Sequence, residues 1–295
     1  MKKVLGTGLS GLVGSRIVEL LGKKFDFQNL DLTTNIDITD KDQLEKIIGS
    51  SQADSLIHLA AFTDVNQAWE QRGDKKGPCY QINVVGTRNL AQLCQQYNKY
   101  LIHFSTDFIF DGKKKTAYKE TDKPQPIEWY GQTKYWAEEE IKKLTNNFCI
   151  LRIAFPYRAK FEPKIDLIRR MIKGFEEKSL YPMFADQITT PTFIDDIAFG
   201  LEKILESKPK GVFHLVSSSF QSPYDLALEI ADVFGFDKKL VKKGSLAEYQ
   251  KKQSKSDRPW HKFLGLSNEK IEKELGIKMK TLREGLEKMK IQLSN

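Results

Sequence analysis

The sequence predicts an α/β fold, a doubly wound parallel sheet with a smaller C-terminal substrate lobe. Three observations predict it. Short apolar, β-branched runs alternate with segments of helical apolar spacing through the first 155 residues. Gly6, Gly8 and Gly11 stand in G-x-G-x-x-G spacing between the first such strand and the first helix. After residue 155 the alternation loosens into helix-rich sequence.

In chain order, "KVLGT" reads as a short strand and "LVGSRIVELLG" as a helix ending at Gly22. "FDFQNLDL" alternates and gives a second strand. "DKDQLEKIIG" starts at Asp40, with Gln43 three residues on, and reads as a helix with a capping-box-like start. "DSLIHLA" is a third strand, "YQINVVGTRNLAQLCQQY" a long helix and "YLIHFST" a fourth strand. "YGQTKYWAEEEIKKL" is a helix and "FCILRIA" a fifth strand. Apolar strands linked by helices argue a parallel sheet covered on both faces. Further on, "FEPKIDLIRRMIKGF" and "TFIDDIAFGLEKIL" read as helices and "GVFHLV" as a strand. "SPYDLALEIADVFG" has Ser222 at its N-cap and Pro223 at N1. "LSNEKIEKELG" and "TLREGLEKMK" close the chain, the last with a Thr281/Glu284 capping box. The expected division is residues 1–155 plus about 186–216 for the dinucleotide-binding domain, and about 156–185 and 217–295 for the substrate-binding lobe.

The chain has 295 residues, 40% hydrophobic and 29% charged, which suits a soluble globular protein. No apolar run approaches the ~18 residues of a membrane span. "MKKVLGTGLSGLVG" begins like a signal peptide, but glycines recur in it and Ser15, Arg16 and Glu19 follow; it reads as strand and turn. The net charge of +8 is scattered, so a nucleic-acid partner is not expected. Three widely spaced cysteines form no disulfide framework and no metal pair, which points to a reducing, cytoplasmic home.

Glycines after a first strand let the backbone approach a pyrophosphate, and the helix start supplies free N–H groups. The plain alternative is a flexible turn. Asp31 ends the second strand, where a carboxylate accepts from ribose hydroxyls and repels a 2′-phosphate. That leans toward NADH over NADPH, unless Asp31 merely starts a turn. Asp37 and Ile38 could flank the adenine, though Asp37 could equally be a loop carboxylate. Ser105 and Thr106 end the fourth strand, at the edge where open sheets bind ligands. Tyr130 and Lys134 are four apart near the start of the next helix. With ten tyrosines and 38 lysines, chance supplies roughly one such pair, so the setting must decide. A lysine ammonium lowers a nearby phenol's pKa, making Tyr130 a better proton donor to a carbonyl.

Glycine loop, "HLAAFTDV", "QINVVGTRNLA", "HFSTDFIFDG", "YGQTK" and "PTFIDDIA" occur in an order that resembles the extended short-chain dehydrogenases/reductases, which are Rossmann-like. "STDFIFDG…YKETDKPQPIEWYGQTK" and "RPWHKFLGLSNEKIEKELGI" are most similar to the dTDP-4-dehydrorhamnose reductase family. The resemblance covers nearly the whole chain. It implies a catalytic set Thr106, Tyr130 and Lys134 and a phosphate loop of Gly8, Gly11 and Gly14, with Leu12 beside it. It implies cofactor contacts at Ala60, Ala61 and Thr63, and a site-organising role for Asn83. Lys134 would also reach the nicotinamide ribose. Asp107, Phe108 and Phe155 would lie near the sugar; Phe108 replaces the family's usual Tyr, and Phe155 a frequent Trp. Asp107 lacks the Glu that follows it in 4,6-dehydratases, which speaks against dehydration and for a structural Asp107.

His58 and His103 lie within strands and read as core imidazoles. No histidine or cysteine stands at metal spacing, so no metal is expected. The expectation is therefore NAD(P)H-dependent reduction of the 4-keto group of a nucleotide-activated deoxysugar. A nucleotide-sugar epimerase is the second reading. A regulatory subunit similar to the methionine adenosyltransferase β subunit is the third. The sequence leaves the base, the sugar and assembly as a homodimer open.

Overall fold

The computed structural model describes residues 1–254 and 256–294. Its chain begins with β1 (Lys2–Thr7), α1 (Leu12–Leu21), β2 (Phe25–Asn29), α2 (Lys41–Ser50) and β3 (Ser55–His58). Next come α3 (Val65–Glu70), α4 (Pro78–Tyr80), a π-helical stretch at Gln81–Gly86, α5 (Thr87–Gln96) and β4 (Tyr100–Thr106). The "long helix" thus carries a π segment in its middle. Then follow α6 (Trp129–Leu144), β5 (Phe148–Ile153), β6 (Pro156–Tyr157), α7 (Leu167–Glu176), β7 (Met183–Phe184), β8 (Thr192–Phe193) and α8 (Ile194–Ser207). The remaining elements are β9 (Gly211–His214), α9 (Pro223–Phe234), β10 (Lys243–Gly244), α10 (Leu246–Lys251), α11 (Glu269–Leu275) and α12 (Leu282–Ser294).

Six strands form one sheet in the order β2-β1-β3-β4-β5-β9, with β1–β2, β1–β3 and β3–β4 parallel. The order turns back at β1, so the crevice of a doubly wound sheet opens between β1 and β3. One core cluster joins Leu5, Leu56, Leu101 and Ile150 of the strands to Leu44 and Ile48 of α2, Leu90 and Leu93 of α5, and Ile141 of α6. Strand β4 is buried along its whole length, which is why its sequence shows no alternation. Cys79, Cys94 and Cys149 are buried thiols, and none forms a disulfide among the described residues.

The chain divides into two compact units. The first comprises Met1–Phe110, Lys123–Arg152 and Ala198–Phe213; the second comprises Asp111–Asp122, Ile153–Ile197 and the residues from His214 onward. The division differs from expectation at two places. Residues 111–122 join the second unit because the Phe263 N–H donates to the Gly112 carbonyl and the Tyr118 N–H to that of Gly265. Residues 186–197 join it through main-chain bonds of Ile188 with Lys262 and Thr189 with Gln221, and the pairing of β6 with β8. The second unit has its own core, in which Ile168 and Phe175 of α7 meet Leu226 and Ile230 of α9 and Leu286 and Met289 of α12. Ser222 caps α9, accepting from the Asp225 N–H at 3.0 Å, and the chain leaves α9 through Gly235 at φ 81°. The Thr281/Glu284 box is made: each backbone N–H is taken by the other side chain, at 2.8 and 3.3 Å. No helix among the described residues is long and apolar enough to cross a membrane.

Candidate functional site

The loop after β1 is shaped by contacts that exclude side chains. Gly8 sits at φ 69°, and a Cβ there would lie 2.5 Å from the Ala60 nitrogen at the end of β3. A Cβ on Gly14 would lie 2.3 Å from the Gly8 carbonyl oxygen. Gly8 and Gly14 are therefore required by the fold of the loop itself. The Gly11 N–H bonds to the Gly8 carbonyl at 3.1 Å. Gly11 caps α1 with no side-chain hydrogen bond, and the first turn, opening with half-buried Leu12, carries no acidic residue. The first N–H groups of a ten-residue helix are left for an anion, beside a loop that only backbone can line. These residues fit a dinucleotide pyrophosphate.

Asp31 is buried and fully engaged. One carboxylate oxygen accepts from the Ser10 hydroxyl at 2.7 Å and the other from the Thr33 hydroxyl at 2.5 Å and its N–H at 2.9 Å. Burial pushes its pKa up, but hydrogen bonds from Thr33, Ser10 and Asn29 outweigh it and hold the carboxyl at about 2. Asp31 thus opens the turn after β2 and ties it to the glycine loop while remaining ionised. Asp37 accepts from the Thr39 N–H and hydroxyl, both at 2.8 Å, in a local turn. The Ile38 side chain is in the core and lies against Gly86. Ala60 and Ala61 are half-buried and Thr63 is exposed, in the segment after β3. Asn83, buried in the π segment, accepts from the Phe62 N–H at 2.8 Å and donates to the Phe62 carbonyl at 3.2 Å. Its amide also donates to Thr133 of α6 at 3.0 Å, so one side chain holds the post-β3 segment to the helix of Tyr130.

Thr106 ends β4 and caps the short 3₁₀ turn Asp107–Ile109. The start of α6 is pressed onto that turn: a Cβ on Gly131 would lie 2.2 Å from the Phe108 carbonyl oxygen. Buried Glu128 caps α6, accepting from the Tyr130 and Gly131 N–H groups at 2.9 and 2.5 Å. Sequence reasoning missed both residues, since Glu is an unusual N-cap and a lone glycine inside a helix reads as a defect. Together they bring the half-buried Tyr130 ring edge-on to Phe108, centroids 5.8 Å apart, and its hydroxyl to Thr106. The Thr106 hydroxyl donates to Asp107 at 3.0 Å and accepts from the Phe108 N–H at 3.3 Å. Burial pushes the buried Asp107 carboxyl up to about 7, against the hydrogen bond from Thr106.

Lys134 is buried, donating to the Phe104 carbonyl at 2.7 Å and facing His103 Nε2 at 3.2 Å. Burial brings it down to about 7, opposed by the charge of Glu138. The expected lowering of Tyr130 by Lys134 is not what the structure holds. Burial raises Tyr130, Asp107 and Glu128 raise it further, and only the Thr106 hydrogen bond opposes them. The reason is that the Lys134 headgroup is drawn down onto β4.

Ser105, expected at the substrate, turns its hydroxyl toward α6 instead. Its hydroxyl donates at 2.6 Å to Glu138, buried in α6, which also takes Arg152 of β5 through both oxygens at 3.0 and 2.8 Å. Neighbours on a strand point to opposite faces, so Thr106 and Ser105 do different work. His58 is a satisfied core imidazole. Thr87 gives its only proton to the Asn83 carbonyl, so it accepts from His58 Nε2–H, and His58 Nδ1 accepts from Thr7. Thr7 in turn accepts the Ala60 N–H. Phe155 belongs to the second unit and holds φ 40°, a left-handed conformation rare for an aromatic residue.

The description "RmlD substrate binding domain" fits residues 1–294. The chain belongs to this family. Among its relatives is a dTDP-4-dehydrorhamnose reductase of Aggregatibacter actinomycetemcomitans, 33% identical over 79% of each chain. Another is the spore coat polysaccharide biosynthesis protein SpsK of Bacillus subtilis, 31% identical over 97% of this chain and 96% of that one. A crystal structure of dTDP-4-dehydrorhamnose reductase from Bacillus anthracis in complex with NADP superposes with a TM-score of 0.89. It is 28% identical and covers 99% of this chain and 100% of that one. In this RmlD chain the glycine loop and the Thr106, Tyr130 and Lys134 cluster all lie within the first unit.

Proposed function

We propose that this chain is an NAD(P)H-dependent reductase of the 4-keto group of a nucleotide-activated deoxysugar, a dTDP-4-keto-6-deoxyhexose being the first substrate to try. The observation that carries the reading is Tyr130 brought against Thr106 and Phe108, with Lys134 one helical turn on and, in the same unit, a glycine loop built to hold a pyrophosphate. A bound nicotinamide supplies the hydride. Tyr130 holds the proton for the developing alkoxide oxygen, and Thr106 orients that oxygen. Lys134 would hydrogen-bond the nicotinamide ribose. Phe108 packs on the Tyr130 ring and forms one wall beside the reacting carbon; Asp107 keeps Thr106 in place.

NADH is the favoured cofactor in this reading, because Asp31 is ionised throughout the physiological range and sits where it repels a 2′-phosphate. The bound NADP of the Bacillus anthracis relative argues the other way, and kinetics decide. Purified protein is given dTDP-4-keto-6-deoxyglucose with the family's epimerase and either NADH or NADPH. Steady loss of absorbance at 340 nm ~ and a reduced sugar product support the reading. Only trace turnover across all such ketosugars with both cofactors sinks it.

A further inference from the structure

His103 is the residue whose surroundings the fold alone does not explain. It is fully buried in β4, its ring centroid 5.0 Å from that of His58. His58 has partners for both nitrogens. His103 has Nε2 against Lys134 Nζ at 3.2 Å, while its Nδ1 is buried with no hydrogen-bond partner among the described residues. Leaving a buried ring nitrogen unpaired is costly, so packing alone is better served by an apolar side chain. What the imidazole adds is an acceptor under the lysine.

The proton count gives this a direction. An ammonium has three donors and no acceptor. One goes to the Phe104 carbonyl and one to His103 Nε2, which requires a neutral ring with its proton on Nδ1. The third N–H is left for a ligand. The other groups facing Lys134 are Glu138 on its own helix and Cys79 on α4, with His58 of β3 behind His103. Among the described residues, only His103 and the Phe104 carbonyl touch the headgroup by hydrogen bond.

We propose that His103 is a positioning residue for the reduction: its Nε2 seats the Lys134 ammonium on β4, aims the remaining N–H at the bound cofactor and keeps the lysine charged. This rests on the role given to Lys134 under the proposed function. An acceptor on an ammonium favours the charged form. Removing the acceptor therefore lowers the pH at which Lys134 loses its proton.

The test is the pH dependence of kcat and KM for wild type, His103→Phe, His103→Gln and His103→Asn in the coupled ketosugar assay. A Gln amide ends near the place of Nε2; an Asn amide ends near that of Nδ1. His103→Phe is expected to lose roughly tenfold to a hundredfold in kcat with KM changed less than about twofold. Its alkaline limb moves to lower pH. His103→Gln restores the limb and His103→Asn does not. A His103→Phe enzyme with the wild-type kcat and limb overturns the proposal. Should that variant not fold, the Gln and Asn enzymes decide: a limb kept by Gln and lost by Asn supports the proposal, and identical profiles overturn it. An inactive wild type overturns the reductase reading and this inference with it, whereas an active wild type with an unchanged His103→Phe overturns the inference alone.

Discussion

Glu138 and Arg152 form a two-pronged ion pair with both side chains almost wholly buried, at 2.8 Å across the second contact. Arg152 also lies over the Phe110 ring, 5.3 Å from its centroid. The pair fastens α6 to β4 and β5, directly beneath the turn that carries Lys134. Removing one partner strands a buried charge. Glu138→Ala is expected to cost about 3–5 kcal/mol in urea unfolding, and Glu138→Gln less. A Glu138→Leu/Arg152→Met double variant recovers most of that loss. If the double variant is as unstable as Glu138→Ala, the stranded-charge account fails.

Tyr130→Phe keeps the ring on Phe108 and deletes one oxygen. The expected loss in kcat is about 10²–10⁴-fold, with cofactor affinity unchanged by fluorescence titration. Turnover within about tenfold of wild type would assign the proton to another group.

Gly8→Ala forces a side chain into a left-handed backbone against the Ala60 nitrogen. The loop must shift, at a cost of about 1–3 kcal/mol. The sharper readout is the ligand: wild type near 100 times the Kd of NADPH gains about 2.7 kcal/mol, seen as a rise in Tm. Gly8→Ala shows a much smaller rise. An undiminished rise would place the pyrophosphate elsewhere.

Asp31 predicts a pH signature. Its folded pKa of about 2 lies below the ordinary 3.8, so its contribution is fully present above pH 4 ~ and is lost as pH falls toward 2. After allowance for solvent screening the contribution is about 1–2 kcal/mol. Asp31→Asn is therefore less stable than wild type at neutral pH, and the two curves converge in acid. Parallel curves down to pH 2 ~ would show that the carboxylate does not hold the Ser10 and Thr33 contacts.

The first five strands, the loop between β1 and α1, and the i, i+4 placement of Tyr130 and Lys134 were legible in the sequence, because glycine spacing and hydrophobic period are local signals. The facing of Ser105 was not. Strand β4 is buried on both sides, so no alternation marks which neighbour turns to α6. The engagement of Asp31 with Ser10 was equally hidden, since residues 21 apart meet only once β1 and β2 pair. The reading of His58 as a core imidazole holds in the structure. His103 looked the same in sequence, and only the direction of the Lys134 side chain separates the two.

The three thiols carry a practical consequence. All lie in the first unit, and burial raises Cys79 to about 11 and Cys94 to about 12. A thiolate-seeking dye meets none of them until that unit opens. Rates of labelling at rising urea therefore clock the breathing of the first unit alone. Cofactor added to the tube should slow that clock, giving a handle on occupancy that needs no sugar and no turnover.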